Sequence, residues 1–276
     1  MHDKTYLEQL KFVLDNGKKR GNRTGVDTIG VFGMQARYDL REGFPALTTK
    51  KLFFKSLKAE LLWFLEGSSD YKRLNELGSK IWDANAKADY WKPKAKFDGD
   101  VGRVYGVQWR SWRTPDGTEI DQIKNAIERI KTKPTDRRII VSAWNPGEID
   151  EMALPPCHIM FQFYVEENKY LSLQMYQRSA DMFLGVPFNI ASYSLLLAMI
   201  AQVTNLEPKE FIHVIGDAHI YENHIEQVQE QLSRKPYNPP ELWLNPEIKD
   251  IDKFSMSDIK LKEYDYHPPI KADMAV

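Results

Sequence analysis

One stretch of the chain limits its possible folds more than any other. Across residues 192–202, apolar side chains fall on every side of a would-be helix, among them Tyr193, Leu195, Leu196, Leu197, Met199 and Ile200. A helix without a polar face must be surrounded by other elements. At 276 residues the chain is long enough to do this within one domain. The unbroken apolar run at 195–201 is too short to span a bilayer. Met1-His2-Asp3-Lys4 carries no hydrophobic signal segment. The expectation is a soluble, cytoplasmic protein that engages no membrane. A formal charge of -1 excludes a protein that is broadly nucleic-acid binding, so anion binding must come from local arginine or lysine clusters.

Other elements are available to bury that helix. Residues 5–16 read as a helix, with Tyr6, Leu7, Leu10, Val13 and Leu14 at helical spacing before Gly17. Residues 28–40 read as a strand whose parity changes at Phe32-Gly33, which predicts a bulge or kink. Phe54, Leu57, Leu61, Phe64 and Leu65 mark a second helix, and Ile120, Ile123, Ile127 and Ile130 a third. Residues 138–144 are rich in β-formers, while 159–165 and 170–176 form two strands across the turn Glu166-Glu167-Asn168-Lys169. Strands and helices in runs, without strict alternation, give an α+β class with a single domain over 1–276. In strand 170–176, Leu171, Leu173 and Met175 face one way. Ser172, Gln174 and Tyr176 face the other, where solvent, a ligand or a second subunit must meet them.

The chain has one cysteine, Cys157, which excludes an internal disulfide and a zinc site of several thiolates. Two prolines precede it. A nucleophilic cysteine needs positive charge nearby. Antiparallel pairing of the two strands would bring Arg178 to it; the competing reading is a buried, inert cysteine. Arg178-Ser179 after a strand suits an anion, or a solvated turn closed by Asp181. Arg137-Arg138 also suits phosphate, but neighbours on a strand point to opposite faces. Glu60 lies beside the apolar row of its helix, where a carboxyl is either paired or raised in pKa, and proton transfer becomes possible. Asn189 offers a donor and an acceptor together, which matches a nucleobase edge or, alternatively, a helix N-cap. His219 and His224 lack the spacing of a zinc helix, and no metal site is expected. From residues alone the reading ends at an α+β enzyme candidate for a small anion.

The fragments also occur in a known order. Asn22-Arg23-Thr24-Gly25, Leu47-Thr48-Thr49-Lys50, Glu60-Leu61-Leu62-Trp63-Phe64-Leu65 and Val104-Tyr105-Gly106 are followed by Arg137-Arg138-Ile139-Ile140 and Pro156-Cys157-His158. Gln177-Arg178-Ser179-Ala180-Asp181, the run from Phe183 to Asn189, Gly216-Asp217-Ala218-His219-Ile220-Tyr221 and Ile270-Lys271-Ala272 complete the set. With these the sequence resembles the thymidylate synthase family along almost its whole length. The resemblance implies one domain whose mixed β-sheet, surrounded by helices, packs against a second copy in a homodimer. It implies reductive methylation of dUMP to dTMP, with 5,10-methylenetetrahydrofolate as one-carbon and hydride donor and no metal. Cys157 would attack carbon 6 of the uracil, Arg178 would favour its thiolate, and Glu60 and Tyr105 would transfer protons. Arg23, Arg178 and Ser179 match phosphate binders, and Arg137 and Arg138 match residues that reach the partner's site. His219 and Tyr221, with Ile220 between them, match the ribose 3′-hydroxyl site. Ala180 and Asp181 belong to the substrate motif, and Asp181 would also face the pterin. Ile81, Trp82, Leu184, Gly185 and Phe188 match the folate wall, Lys50 the folate's acidic tail, and Ala275 and Val276 a closing C-terminus. Asn189 matches uracil, where cytosine-directed relatives carry Asp.

Four features depart from the common pattern. Asn85 stands where many members carry a second Trp, Phe53 where many carry His, and Gly102-Arg103-Val104 replaces Gly-Pro-Val. Residues 87–100 form a longer stretch than in compact bacterial members. All lie toward the folate side and leave a dUMP hydroxymethylase, in which water replaces hydride, as the runner-up. A binding regulator without activity is the alternative of a different class.

Overall fold

The structure, a computed structural model, describes residues 2–22 and 25–273. Its centre is a six-stranded sheet. The strands lie in the order Lys18–Arg20, Thr28–Asp39, Glu207–Tyr221, Tyr170–Asp181, His158–Glu166 and Ile140–Ser142. Neighbours are antiparallel except Tyr170–Asp181 and Glu207–Tyr221, which run parallel. A parallel pair needs a crossover, and the crossover is helix Gly185–Thr204. The α+β expectation with a mixed sheet is therefore met.

That crossover helix is longer than the sequence pattern suggested. It has 20 residues, and an 18-residue stretch of it has a mean hydropathy of 1.5, enough by length and composition to cross a bilayer, but 83% of that stretch is buried inside the protein. It is the core helix of the domain. Its N-terminal extension comes from Pro187, which sits in the first turn, where a missing amide proton costs nothing. Asn189 consequently lies in the second turn and is not an N-cap.

Other differences from the sequence reading have local causes. The N-terminal helix begins at His2, where Asp3 is buried and accepts from the Thr48 and Thr49 amides. The strand Thr28–Asp39 keeps one register against Glu207–Tyr221 throughout. The parity change at Phe32-Gly33 comes from the positive φ of Gly33, 87°, rather than from an inserted residue. Ile120 leaves the third helix and joins a two-residue strand, because Asp121 caps the helix at Lys124. The hairpin turn forms as expected, with Glu167 and Asn168 at φ 55° and 50°, the primed geometry that suits twisted strands.

Helices cover one face of the sheet. On the other, the pairing registers align Arg37, Ile212, Gln174, Gln162 and Ile140 in one row. Phe32 and Tyr164 on the same sheet are 85% and 65% exposed. The outward face of strand Tyr170–Asp181 is mixed in burial: Gln174 is exposed, Tyr176 half-buried, and Ser172 buried.

Candidate active site

The hairpin that carries Cys157 supplies the first contact of the site. His158 pairs with Gln177, and the Arg178 amide donates to the Cys157 carbonyl at 2.8 Å. Arg178 lies within its strand rather than after it. Its guanidinium donates from Nε to the Pro156 carbonyl at 2.9 Å and from an Nη to Pro155 at 3.1 Å. The cation is thus held beside the cysteine by the backbone that the two prolines fix. It also lies over the Trp144 ring, 5.5 Å from its centroid.

A cleft of about 610 Å³ opens over Cys157. Arg178, Ser179, His219 and Tyr221 line it, as the sequence led one to expect. His219 Nδ1 meets Asp217 at 3.0 Å, and Arg20 meets the same carboxyl at 2.8 Å. The His219 hydrogen bond, followed by Arg20, holds the Asp217 carboxyl below its usual pKa. Ala180 and Ile220 line the core instead, each fully buried, because alternate residues of a strand face opposite ways.

Two expected residues stand directly behind the cleft. The Tyr105 hydroxyl accepts from the Cys157 amide at 2.7 Å, and burial raises its pKa far above that of a free phenol. Its own proton therefore stays on oxygen. Asn189 is held by Gln177, which donates to Oδ1 at 3.1 Å, and by His158 Nε2, 3.1 Å from Nδ2. His158 continues to the Tyr193 hydroxyl at 3.1 Å. Burial, with the nearby Arg178 charge, pulls the His158 pKa down to about 3, so its imidazole is neutral.

Glu60 is half-buried on its helix and bonds to one of a group of packed aromatic rings. Trp82, 4% exposed, packs on Trp63, Phe64 and Tyr105 and donates its indole proton to Glu60 at 2.7 Å. Desolvation raises the Glu60 carboxyl to about 7, against the weaker opposing pull of that hydrogen bond.

The remaining expected residues are dispersed. Asp181 accepts from the Phe183 and Leu184 amides and caps the turn into the core helix. Lys50 is buried, donates to the Phe183 carbonyl and lies over the Phe183 ring at 3.5 Å; burial lowers its pKa to about 7. Leu184 and Phe188 are half-buried near the helix start, Gly185 opens that helix, and Ile81 is exposed. Arg137 and Arg138 line a separate hollow with residues 132–136, and Arg138 is held by Asp136 at 3.0 Å. Arg23, Ala275 and Val276 lie outside the described residues. Among the described residues no group of three or more metal-ligating side chains forms.

Sequence reading gave no role to His158, Gln177 or His213; the first two bond to Asn189 and His213 bonds to Gln177. It also missed Tyr90 and Lys94, which come from the longer 87–100 stretch and line the cleft. Trp91, buried with its indole bonded to the Asp100 carbonyl at 2.7 Å, anchors that stretch. A buried aromatic in an otherwise charged segment was the signal for it.

Comparison with known families aligns residues 4–276 with the model described as thymidylate synthase. Enzymes of that family methylate dUMP and use methylenetetrahydrofolate as cosubstrate. Because the match spans essentially the whole chain, this protein belongs to the thymidylate synthase family of methyltransferases.

Proposed function

We propose that the protein converts dUMP to dTMP with methylenetetrahydrofolate, releases dihydrofolate, and uses Cys157 as the nucleophile. The observation that carries this reading is the seating of Cys157. Its strand neighbour is Arg178, Tyr105 holds its amide, and both sit in or against one cleft with Ser179, His219 and Tyr221. A cation beside a thiol favours the thiolate.

In this scheme the Cys157 thiolate adds to carbon 6 of the uracil, and the displaced electron pair makes carbon 5 nucleophilic. Asn189 pairs with the pyrimidine edge, its amide nitrogen toward O4 and its amide oxygen toward the N3 proton. Arg178 and Ser179, joined by Arg23, take the phosphate, while His219 and Tyr221 take the ribose. Glu60, near 7, exists in both protonation states around neutral pH and so can accept and return protons. The folate supplies the one-carbon unit and the hydride. Exposed Ile81 and half-buried Leu184 and Phe188 offer apolar surface for a flat ring. Enclosed Trp82 and Tyr105 help keep water from the reacting carbon.

The working unit in this proposal is a homodimer packed through the open sheet face. Exposed Phe32, Tyr164 and Ile140 on that face support it. So does the position of Arg137 and Arg138, away from their own chain's cleft. Sedimentation of the purified protein should give twice the 32.2 kDa chain mass.

The direct test mixes protein, dUMP and methylenetetrahydrofolate and follows dihydrofolate by absorbance alongside dTMP by chromatography. Equal amounts of the two products support hydride transfer. Consumption of dUMP without dihydrofolate identifies water as the acceptor and makes the protein a hydroxymethylase. A dimer inactive with both substrates rejects the catalytic reading.

A further inference from the structure

Asn189 discriminates bases only if its two ends are fixed. Turned by 180°, the same amide would present its oxygen where the nitrogen stood and would match cytosine rather than uracil. Whatever fixes the amide therefore sets the substrate.

Two arms hold Asn189, and they differ in kind. One is His158, whose Nε2 lies 3.1 Å from Asn189 Nδ2 and whose Nδ1 lies 3.1 Å from the Tyr193 hydroxyl. A neutral imidazole can place its proton on either nitrogen, and a hydroxyl can rotate. This arm accommodates both orientations of the amide and selects neither.

The other arm is polar in one sense only. Gln177, 3% exposed, directs one side-chain atom at both the Ser179 carbonyl, 3.0 Å away, and Asn189 Oδ1, 3.1 Å away. A carbonyl only accepts, so that atom must be the amide nitrogen. Gln177 Oε1 then faces His213 Nε2 at 2.9 Å, and Nε2 must carry its proton. His213 is fully buried, and desolvation lowers its pKa to about 3, which leaves a single ring proton. With that proton on Nε2, Nδ1 is a bare acceptor, and it has no hydrogen-bond partner. A buried acceptor left unsatisfied costs free energy. The opposite tautomer would leave both Nε2 and Gln177 Oε1 as facing acceptors, which is worse. The orphaned Nδ1 is thus the trace of a tautomer imposed by Gln177.

We propose that His213, acting through Gln177, is a positioning residue that fixes the donor and acceptor ends of Asn189 and thereby the choice of uracil over cytosine. The inference rests on the reading in which Asn189 pairs with the pyrimidine. His213 touches neither substrate nor Cys157 in that reading; it acts two hydrogen bonds away.

His213→Phe tests it. The ring still stacks on Phe211, whose centroid is 5.5 Å from that of His213 in the parent, but the donor is gone. The dissociation constants of dUMP and dCMP are measured by calorimetry, with melting temperature as a control. The expected result is a dUMP-over-dCMP preference reduced about ten-fold, the scale of one lost hydrogen bond in a buried site. His213→Gln, which keeps a donor, should recover most of the preference. A His213→Phe protein that melts earlier but keeps its preference within about two-fold overturns the proposal and leaves His213 a packing residue. If His213→Phe does not fold, Gln177→Met removes the same arm and must show the same loss; an unchanged preference there also overturns it. The parent protein separates the two readings. Without any preference for dUMP over dCMP in the parent, the pairing role of Asn189 fails, whatever the variants do.

Discussion

Two groups of buried polar residues flank Cys157, and they are built on opposite plans. On the Asn189 side, His213, Gln177, Asn189, His158 and Tyr193 form one hydrogen-bonded chain. On the Glu60 side, one carboxyl accepts from the indole of Trp82, which itself packs on Trp63, Phe64 and Tyr105. The first arrangement satisfies nearly every group and so fixes directions. The second leaves a charge under-solvated and so shifts a pKa. A satisfied network suits reading a substrate, because rejection comes from leaving a partner unpaired. An under-satisfied carboxyl suits moving protons, because its two forms become close in free energy near pH 7. Removal from water serves two ends according to how many partners each group keeps.

The largest expected effect falls on Cys157, which both sides serve. Cys157→Ala should lower turnover by roughly 10⁴-fold or more, the scale for loss of a nucleophile. The dissociation constant of dUMP should stay within about three-fold, since the Asn189 chain and the Arg178 strand contact do not use the sulfur. Measured turnover well above that floor would mean that Cys157 is not the nucleophile. Next in size is Asn189→Asp. A neutral or charged carboxyl changes the pattern shown to the base, and the ratio of dUMP to dCMP affinity should fall by roughly 10²-fold or more. Asn189→Asp should leave any pH limb from Glu60 in place. Coupling between the two would break the contrast drawn above.

Much of this was legible in the sequence, for physical reasons. The hairpin 158–181 could be read because strand periodicity is local and its turn residues accept positive φ. The Cys157–Arg178 contact followed from pairing alone. Glu60 stood out because a carboxyl beside an apolar row is rare. What could not be read was the partner of each polar group. Gln177 and Asn189 are twelve residues apart, and His213 comes from a strand joined through a crossover helix. Only the parallel register of Gln177 with Ile215 places His213 near it. The resemblance matched Lys50 to the folate's acidic tail; what pattern could not show is that residues 44–50 are buried as a block and that Lys50 donates to the Phe183 carbonyl. Tyr90 and Lys94 come from a stretch without periodicity, which local pattern cannot place.

Glu60 affects stability as well as turnover, and the sign of its effect can be worked out. Its carboxyl has a usual value of 4.5 and is raised to about 7 in the folded protein. The folded state therefore binds this proton more tightly than the unfolded state. As pH rises from about 4.5 to 7 the unfolded state ionises first, so this group progressively destabilises the fold, and above 7 the penalty is constant. Glu60→Gln should then raise the melting temperature at pH 8, by an amount equivalent to about 1–3 kcal/mol, and leave it nearly unchanged at pH 4.5. Turnover should fall about 10²–10⁴-fold, and the limb near pH 7 in the rate profile should vanish. A limb that persists belongs to another group.

The smallest effect is the sharpest test of the contrast. Trp82 gives Glu60 a hydrogen bond that favours the carboxylate and so lowers its pKa. Trp82→Phe removes that donor and keeps an aromatic ring against Trp63 and Tyr105. If the Glu60 side is governed by desolvation with one opposing bond, the pKa must rise further. The limb of the pH–rate profile should move up by about 0.5–1 pH unit, the free energy of one net hydrogen bond divided by 1.4 kcal/mol per unit. The dUMP-over-dCMP ratio should not move, because Trp82 is not part of the chain that holds Asn189. A limb that instead shifts to lower pH would mean that water enters where the indole was and solvates the carboxylate. The Glu60 side would then be tuned by exclusion of solvent through Trp82 packing rather than by its hydrogen bond, and measurement of the same limb in Trp82→Phe and Trp82→Leu would separate the two contributions.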